Sequence, residues 1–245
     1  DKIRVVAPEV GGGFGSKLAV YPADFVTVFC SMRLGRPVKW TETRSENYQA
    51  TTHGRDHVQH VELAAKKDGT VTGLRCTVYA GMGAYLSTAA PGIPTILHGL
   101  MLSGVYTLPA VKEDVYGTYT NGTPVDAYRG AGRPEATFML ERMMDQLAAE
   151  LGMDPADVRK KNLIPKFDDG HEVITTLSYD SGDYPAALDK VLAHADYAGL
   201  RATQAKGATN GTYLGLGLAS YVELCGLGPS QVAGAIGFQG GLWES

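Results

Sequence analysis

Residues 11–17 read Gly11-Gly-Gly-Phe-Gly-Ser-Lys17, between a β-branched apolar run, Ile3-Arg-Val-Val-Ala7, and a stretch of helical spacing over 18–34. A strand, a glycine turn and a helix receive an anion by geometry alone. The first backbone N–H groups of a helix lack internal partners, and the aligned peptide dipoles favour negative charge there. Lys17 offers a point charge beside them. A P-loop would require G-x-x-x-x-G-K-[ST]. Counting from Gly11, Ser16 takes the place of the second glycine and Leu18 that of the magnesium-holding hydroxyl. A dinucleotide fingerprint has Gly13 in place but Ser16 at its third glycine, and no acidic residue near 31–37 to hold a ribose. The loop is therefore a site for some other anion or oxo group, or only a tight turn.

A second loop, Ala127-Tyr-Arg-Gly-Ala-Gly-Arg133, again sets glycines and cations directly before a helix. Pro134 suits the first helical turn and Glu135 its positive end. The two loops converge on one large anionic cofactor, or Arg129 and Arg133 pair with surface carboxylates; this stretch leaves both open.

Around the loops the pattern is mixed. The helix over 18–34 has Phe25, Val26, Phe29 and Met32 on its apolar side, and Gly35, Arg36 and Pro37 end it. Val38–Thr41 reads as a strand. Residues 56–64 alternate, with Val58, Val61 and Leu63 apolar; Lys67-Asp-Gly-Thr70 turns the chain into Val71–Tyr79, which predicts an antiparallel hairpin. Residues 80–104 predict irregular chain with a short helix, and 111–119 another extended stretch. A helix from Pro134 to Leu151 carries Phe138, Leu140, Met144 and Leu147, and Gly152 stops it. Asp154-Pro155 caps and starts a helix to Asn162, Asp183 caps one over 184–194, and 213–223 reads as a glycine-interrupted strand. The class is α+β, with no regular βαβ repetition.

Composition narrows the function classes. There are 31 glycines among 245 residues, where a usual share of about 7% would give about 17; the excess is aperiodic and points to tight turns and close approaches. A net charge of -4 and a pI near 5.9 lack the basic face of a nucleic-acid binder, and Arg159-Lys-Lys161 reads as a helix end. No run reaches the roughly 18 apolar residues of a membrane helix, and no basic-then-apolar leader opens the chain. Cys30, Cys76 and Cys225 are too scattered for zinc or an iron–sulfur cluster, and each is expected to be a small buried hydrophobe. His53, His57 and His60 have helical metal spacing, but they lie in chain that alternates as a strand. Asn121-Gly-Thr and Asn210-Gly-Thr are read as turns. The strand-like opening and the uncapped Gln239–Ser245 close are those expected of an interior stretch of a longer protein.

The two loops, in this order and spacing, resemble the signatures of the xanthine dehydrogenase and aerobic carbon monoxide dehydrogenase superfamily of molybdenum hydroxylases. The helix pair around Glu141–Asn162, ending Val158-Arg-Lys-Lys-Asn-Leu163, and the segment Gly215–Gly228 are also similar to that family. The nearest group is the form II, or carbon monoxide dehydrogenase-like, large subunits. The resemblance implies the mixed sheets and helices of a molybdopterin-binding domain, incomplete here. Residues 1–165 would hold both loops, 166–210 would connect, and 211–245 would open a second portion. Gly12, Gly13, Phe14 and Gly15 would lie near the molybdenum's oxo ligand, and Ala127, Tyr128, Arg129 and Gly130 beside the metal centre.

The implied cofactor is Mo-molybdopterin, in its cytosine dinucleotide form. Its dithiolene sulfurs would hold the metal, so no protein metal ligand is expected. The implied chemistry is hydroxylation by metal-bound hydroxide with hydride transfer to a sulfido ligand. Electrons would leave through [2Fe-2S] clusters on a small subunit and FAD on a medium subunit, in a cytoplasmic dimer of heterotrimers. The family's catalytic glutamate base is expected outside this chain, so no catalytic residue is assigned and the stretch alone is expected to be inactive. Glu9, Glu135 and Glu223 do not match that base.

Departures from the family pattern bear on the substrate. Carbon monoxide dehydrogenases in the strict sense carry a copper-holding cysteine where this chain has Gly130, and Cu(I) needs a soft ligand. Purine hydroxylases have a glutamate where Leu18 stands, an aromatic at Ala131, and an arginine within a stretch that here has none between Arg75 and Arg129. An aldehyde, carbonyl or N-heterocyclic substrate is expected. The alternatives are a strict carbon monoxide dehydrogenase, or a non-catalytic scaffold or anion-binding module derived from the family; the last would be favoured by two loops lying far apart.

Overall fold

The computed structural model describes residues 3–224. Its centre is the hairpin expected from the Asp68-Gly69 turn: β1 (His57–Ala65) runs antiparallel to β2 (Val71–Gly83), with Leu63 opposite Leu74. Gly69 takes φ 86 at the bend, and the Lys66 amide donates to the Thr70 carbonyl at 2.8 Å. On the other edge of β2 lies β3 (Val111–Tyr119), parallel, with Val78 opposite Val115. A parallel neighbour needs a crossover, which here is residues 84–110. It contains a 3-10 turn, Ala90–Gly92, and a short π-helical turn, Ile93–Leu97.

The pleat of β2 puts Leu74, Cys76, Val78, Ala80 and Met82 on one buried face. Against them packs α3 (Arg133–Leu151) through Met139, Leu140, Met144 and Ala148, with Leu102, Val105 and Tyr106 of the crossover closing the layer. Burial pushes the Cys76 thiol up to about 12, so it stays protonated as an inert core group; Cys30 is half-buried, and Cys225 lies outside the described residues. Phe138 points away from this core and is 68% exposed, because the buried stripe of α3 runs along 136, 139–141, 144 and 148.

Helix α4 (Pro155–Asn162) starts, as expected, from an Asp154 cap that accepts the Ala156 amide at 2.8 Å. Asn162 joins it to the hairpin by accepting the Val71 amide at 2.8 Å and donating to the Gly69 carbonyl at 2.9 Å. Arg159 differs from its neighbours Lys160 and Lys161, with which the sequence groups it as a helix end. Its side chain is 0% exposed, and it donates to Glu141 and Asp145, each at 2.8 Å. It also donates to the Leu218 carbonyl at 2.8 Å. Tyr106 donates to the same Glu141, and burial followed by the Glu141 charge pushes its phenol well above the usual range.

Farther along are the two-residue strands β4 (His171–Glu172) and β5 (Ser178–Tyr179), then α5 (Tyr184–His194), capped by Asp183 as expected, and α6 (Tyr197–Ala205). Alanine and a capping Asp196 with φ 48 start α6, which periodicity did not reveal. Helix α1 spans Pro22–Leu34 rather than 18–34, because Pro22 fixes its first turn and Asp24 accepts the Tyr21 amide at 2.9 Å. Its apolar side is not buried: Phe29, for example, is 61% exposed. A capping box at Thr43 and Glu46 starts α2 (Arg44–Ala50), which sequence reasoning missed.

The stretches 3–7, 38–41 and 213–223 are not strands. β-branched and aromatic residues suit a strand only where a ladder partner exists, and Val5 is 88% exposed with none among the described residues. Much of the 211–245 portion lies outside the described residues. No helix among the described residues is long and apolar enough to cross a membrane.

Arg159→Met, by stranding the buried Glu141, is expected to cost about 3–5 kcal/mol in a denaturant titration. Lys160→Met, which breaks only the exposed pair with Asp189, should cost no more than about 1 kcal/mol.

Candidate functional site

The first glycine loop and the second meet. The Arg129 amide donates to the Phe14 carbonyl at 2.7 Å, and the Arg129 guanidinium lies 5.8 Å from the Phe14 ring centroid. At Gly15 the contact is closer still: a Cβ there would lie 2.1 Å from the Ala127 carbonyl oxygen, and φ is 93. The backbones of the two loops therefore touch only because residue 15 has no side chain. This proximity weighs against a general anion-binding module, which loops lying far apart would have favoured.

The local backbone is strained in both loops. Phe14 and Ala131, neither a glycine, sit at φ 53 and 45, a region sparsely used by L-residues that is held only where surrounding contacts enforce it. Behind the second loop, Asp126 is buried and accepts the Ala89 amide at 3.2 Å and the Ala127 amide at 2.6 Å. A Cβ on Gly132 would meet the Ile93 carbonyl at 2.3 Å, so the crossover underlies the loop. Arg133 donates to the Gly130 carbonyl at 2.7 Å and pairs with Glu223 at 3.3 Å. Of the two arginines in the second loop, then, Arg133 does pair with a carboxylate, while Arg129 stays over the Phe14 ring.

The loops line a cleft of ≈ 690 Å³ with Ser16, Lys17, Arg44, Asn47, Thr51 and Tyr128 among its walls. The amides of Gly12, Gly13, Phe14 and Gly15 make no hydrogen bond to another described residue. Lys17 is less free than its sequence suggests, since its ammonium donates to the Gly12 carbonyl at 2.8 Å and braces its own loop. The cleft carboxylates are engaged as well: Asp24 caps α1, and Glu42 accepts from Asn47 at 2.8 Å. The donor set that remains is backbone N–H with Arg129 and Arg44, suited to an oxygen-rich anion. Among the described residues no cysteine or histidine lines the cleft, so a metal received there would bring its own ligands. The residues fit a polyanionic metal-bearing group on those terms.

Sequence reasoning missed Arg55. It donates to the carbonyls of Tyr128 at 2.7 Å and Arg129 at 2.6 Å, and its guanidinium lies 5.2 Å from the centre of the Tyr128 ring. The only local signal was Gly54, whose missing Cβ would lie 3.0 Å from Tyr128 Cβ. His57 and His60 fall on opposite faces of β1, the first half-buried and the second exposed. Glu135 reads in sequence as a helix-end complement; it is in fact buried.

Residues 1–163 match the molybdopterin cofactor-binding domain family. The whole chain is 42% identical to the carbon monoxide dehydrogenase large chain of Hydrogenophaga pseudoflava, of which it covers 31%. In structure, 82% of the chain superposes on 25% of the reconstituted CO dehydrogenase chain from Oligotropha carboxidovorans, with a TM-score of 0.75 and 38% identity. For quinoline 2-oxidoreductase from Pseudomonas putida 86, the TM-score is 0.73 and the identity 30%, over 81% of this chain and 25% of that one. The chain thus spans no more than about a third of the relatives it matches. It belongs to the molybdopterin cofactor-binding family, as a stretch of the large subunit found in the carbon monoxide dehydrogenase and xanthine dehydrogenase group of molybdenum-dependent oxidoreductases.

Proposed function

We propose that this chain forms one wall of a molybdopterin cradle in a hydroxylase or dehydrogenase acting on an aldehyde, carbonyl or N-heterocyclic compound. Gly12, Gly13, Phe14 and Gly15 contribute from the first loop, and Ala127, Tyr128, Arg129 and Gly130 from the second. The observation that carries this reading is the contact of Gly15 with the Ala127 carbonyl, which turns two sequence-distant loops toward one cleft. When bound, the molybdenum cofactor supplies two-electron oxidation coupled to oxygen insertion. The chain's own part is to bind and orient. Unpaired amides of the first loop donate to anionic oxygens, Arg129 adds a positive charge, and the Phe14 ring beneath it excludes water from one side.

The same reading assigns the cytosine dinucleotide form of the cofactor, and partner subunits carrying [2Fe-2S] clusters and FAD in a cytoplasmic dimer of heterotrimers. It also divides the chain into a cradle portion over 1–165, a connection over 166–210, and the opening of a second portion from 211. The base that completes the reaction is assigned to large-subunit sequence outside this chain.

Gly130 bears on the substrate class. It sits at φ 109, and a Cβ there would lie 2.3 Å from Cγ of Pro134. A thiolate at this position would demand a different loop, so the absence of a copper ligand is built into the backbone as well as the side chain. The 42% identity to a carbon monoxide dehydrogenase large chain favours the strict carbon monoxide reading; the 30% identity to an oxidoreductase named for quinoline favours the heterocyclic one. The Gly130 geometry weighs for the latter.

Elemental and pterin analysis of the full-length, co-expressed complex is expected to find stoichiometric molybdenum and pterin. A correctly assembled complex lacking both would defeat the proposal. Gly15→Val, which separates the loops, is expected to lower pterin content by at least about tenfold, as loss of a supporting shell does. Gly130→Cys is expected to bind no copper and to gain no carbon monoxide oxidation; copper-dependent carbon monoxide oxidation by the unaltered complex would overturn the substrate assignment.

A further inference from the structure

The second loop is held in place from behind by a segment that none of the loop motifs includes. His53 and Val125 form a parallel bridge, with the Asp126 amide donating to the His53 carbonyl at 2.7 Å and the His53 amide to the Pro124 carbonyl at 3.1 Å. Gly54 then lets the chain pass against Tyr128, and Arg55 follows at φ 71. An arginine in that region is strained unless its surroundings fix it. Here its side chain fixes it, with one nitrogen on the Tyr128 carbonyl and the other on the Arg129 carbonyl. These are two consecutive peptide groups of the loop proposed to face the cofactor.

The third partner of Arg55 is Glu135, in the first turn of α3. Its side chain is only 7% exposed and lies 3.8 Å from Arg55 Nη1, and neither carboxylate oxygen has a hydrogen-bond partner among the described residues. A buried carboxylate at this distance draws the guanidinium inward while leaving its N–H groups free to donate elsewhere. Both N–H directions go to the loop carbonyls. A lysine could neutralise Glu135, but one ammonium on a flexible stem lacks the planar fork that spans two successive carbonyls.

We infer that Arg55 is a positioning residue for the molybdenum site: with Glu135 as its buried counter-charge, it sets the Tyr128–Arg129 peptides and through them the Arg129 guanidinium and Gly130. The inference deepens the proposed function and rests on it for the identity of what the loop faces. Its geometric part, that Arg55 orders the loop, stands independently of that identity.

The test uses the full complex and three variants: Arg55→Met, Arg55→Lys and the double variant Arg55→Met with Glu135→Gln. Arg55→Met strands Glu135 and is expected to lower the unfolding temperature, whereas the double variant removes the stranded charge and recovers it. Amide hydrogen exchange over 127–133 is then the deciding readout. Exchange there should be about tenfold faster or more in the double variant, and also in Arg55→Lys, although their global stability is near that of the unaltered protein. Where the complex carries molybdenum, the Mo(V) paramagnetic signal after partial dithionite reduction should change in line shape in the same two variants. Native exchange and a native signal in the double variant would mean that Arg55 merely neutralises Glu135, and would overturn the inference. An unaltered complex with no molybdenum would defeat the proposed function instead, leaving the exchange result to decide whether Arg55 orders the loop.

Discussion

Between the α-carbon of Gly15 and the carbonyl oxygen of Ala127 there is no room for a methyl group, and the geometry of the site follows from that closeness. Loop one can lie on loop two only with a hydrogen atom at that position. The Arg129 amide then reaches the Phe14 carbonyl and the Arg129 side chain reaches the Phe14 ring. Loop two in turn cannot move freely, since it opens α3, and α3 is packed along the buried face of β2. The position of a few exposed peptide groups is thereby referred back to the central strand of the sheet.

Where one short stretch of sequence contains its own structural cause, that structure was legible. The Asp68-Gly69 bend, the Asp154 and Asp183 caps, and the Pro134 start and Gly152 stop of α3 are all local chemistry, and the hairpin and three helices follow from them. The α+β class was legible too, and the meeting of the two glycine loops along one cleft agrees with what the motif resemblance implied. Strand propensity at 3–7, 38–41 and 213–223 misled, because a strand is a relation between two segments and a propensity describes one. Phe138 misled in a similar way: apolar weight on a helix does not say which stripe faces the core. Arg159 was indistinguishable from Lys160 and Lys161 beside it. Only the placement of Glu141 and Asp145 on the neighbouring helix makes it a buried hub. Arg55 had no motif at all, since its partners lie 73 and 74 residues away.

Membership of a family and the chemistry of a site are separate matters in this chain. The overall likeness to carbon monoxide dehydrogenase large chains is the strongest of the sequence similarities described above, yet position 130 carries neither a soft ligand nor the backbone to present one. Pro134 serves two ends at once. It starts α3 with a preset φ, and its ring occupies the space into which a side chain at 130 would project. Helix initiation and the lack of a side chain at position 130 are thus coupled through a single ring.

The parallel pairing of β2 with β3 has a kinetic consequence. Residues 84–110 must be laid across the molecule before the pair can form, and that same crossover supplies Ala89 to Asp126 and Ile93 to Gly132 beneath the second loop. The two loops themselves meet across 115 residues (129 minus 14), where the Arg129 amide donates to the Phe14 carbonyl, and contacts of such separation are slow to form because loop-closure entropy precedes their reward. The hairpin, closed by its own local turn, needs no such closure, so the order expected from contact separation is hairpin first and loop contact last.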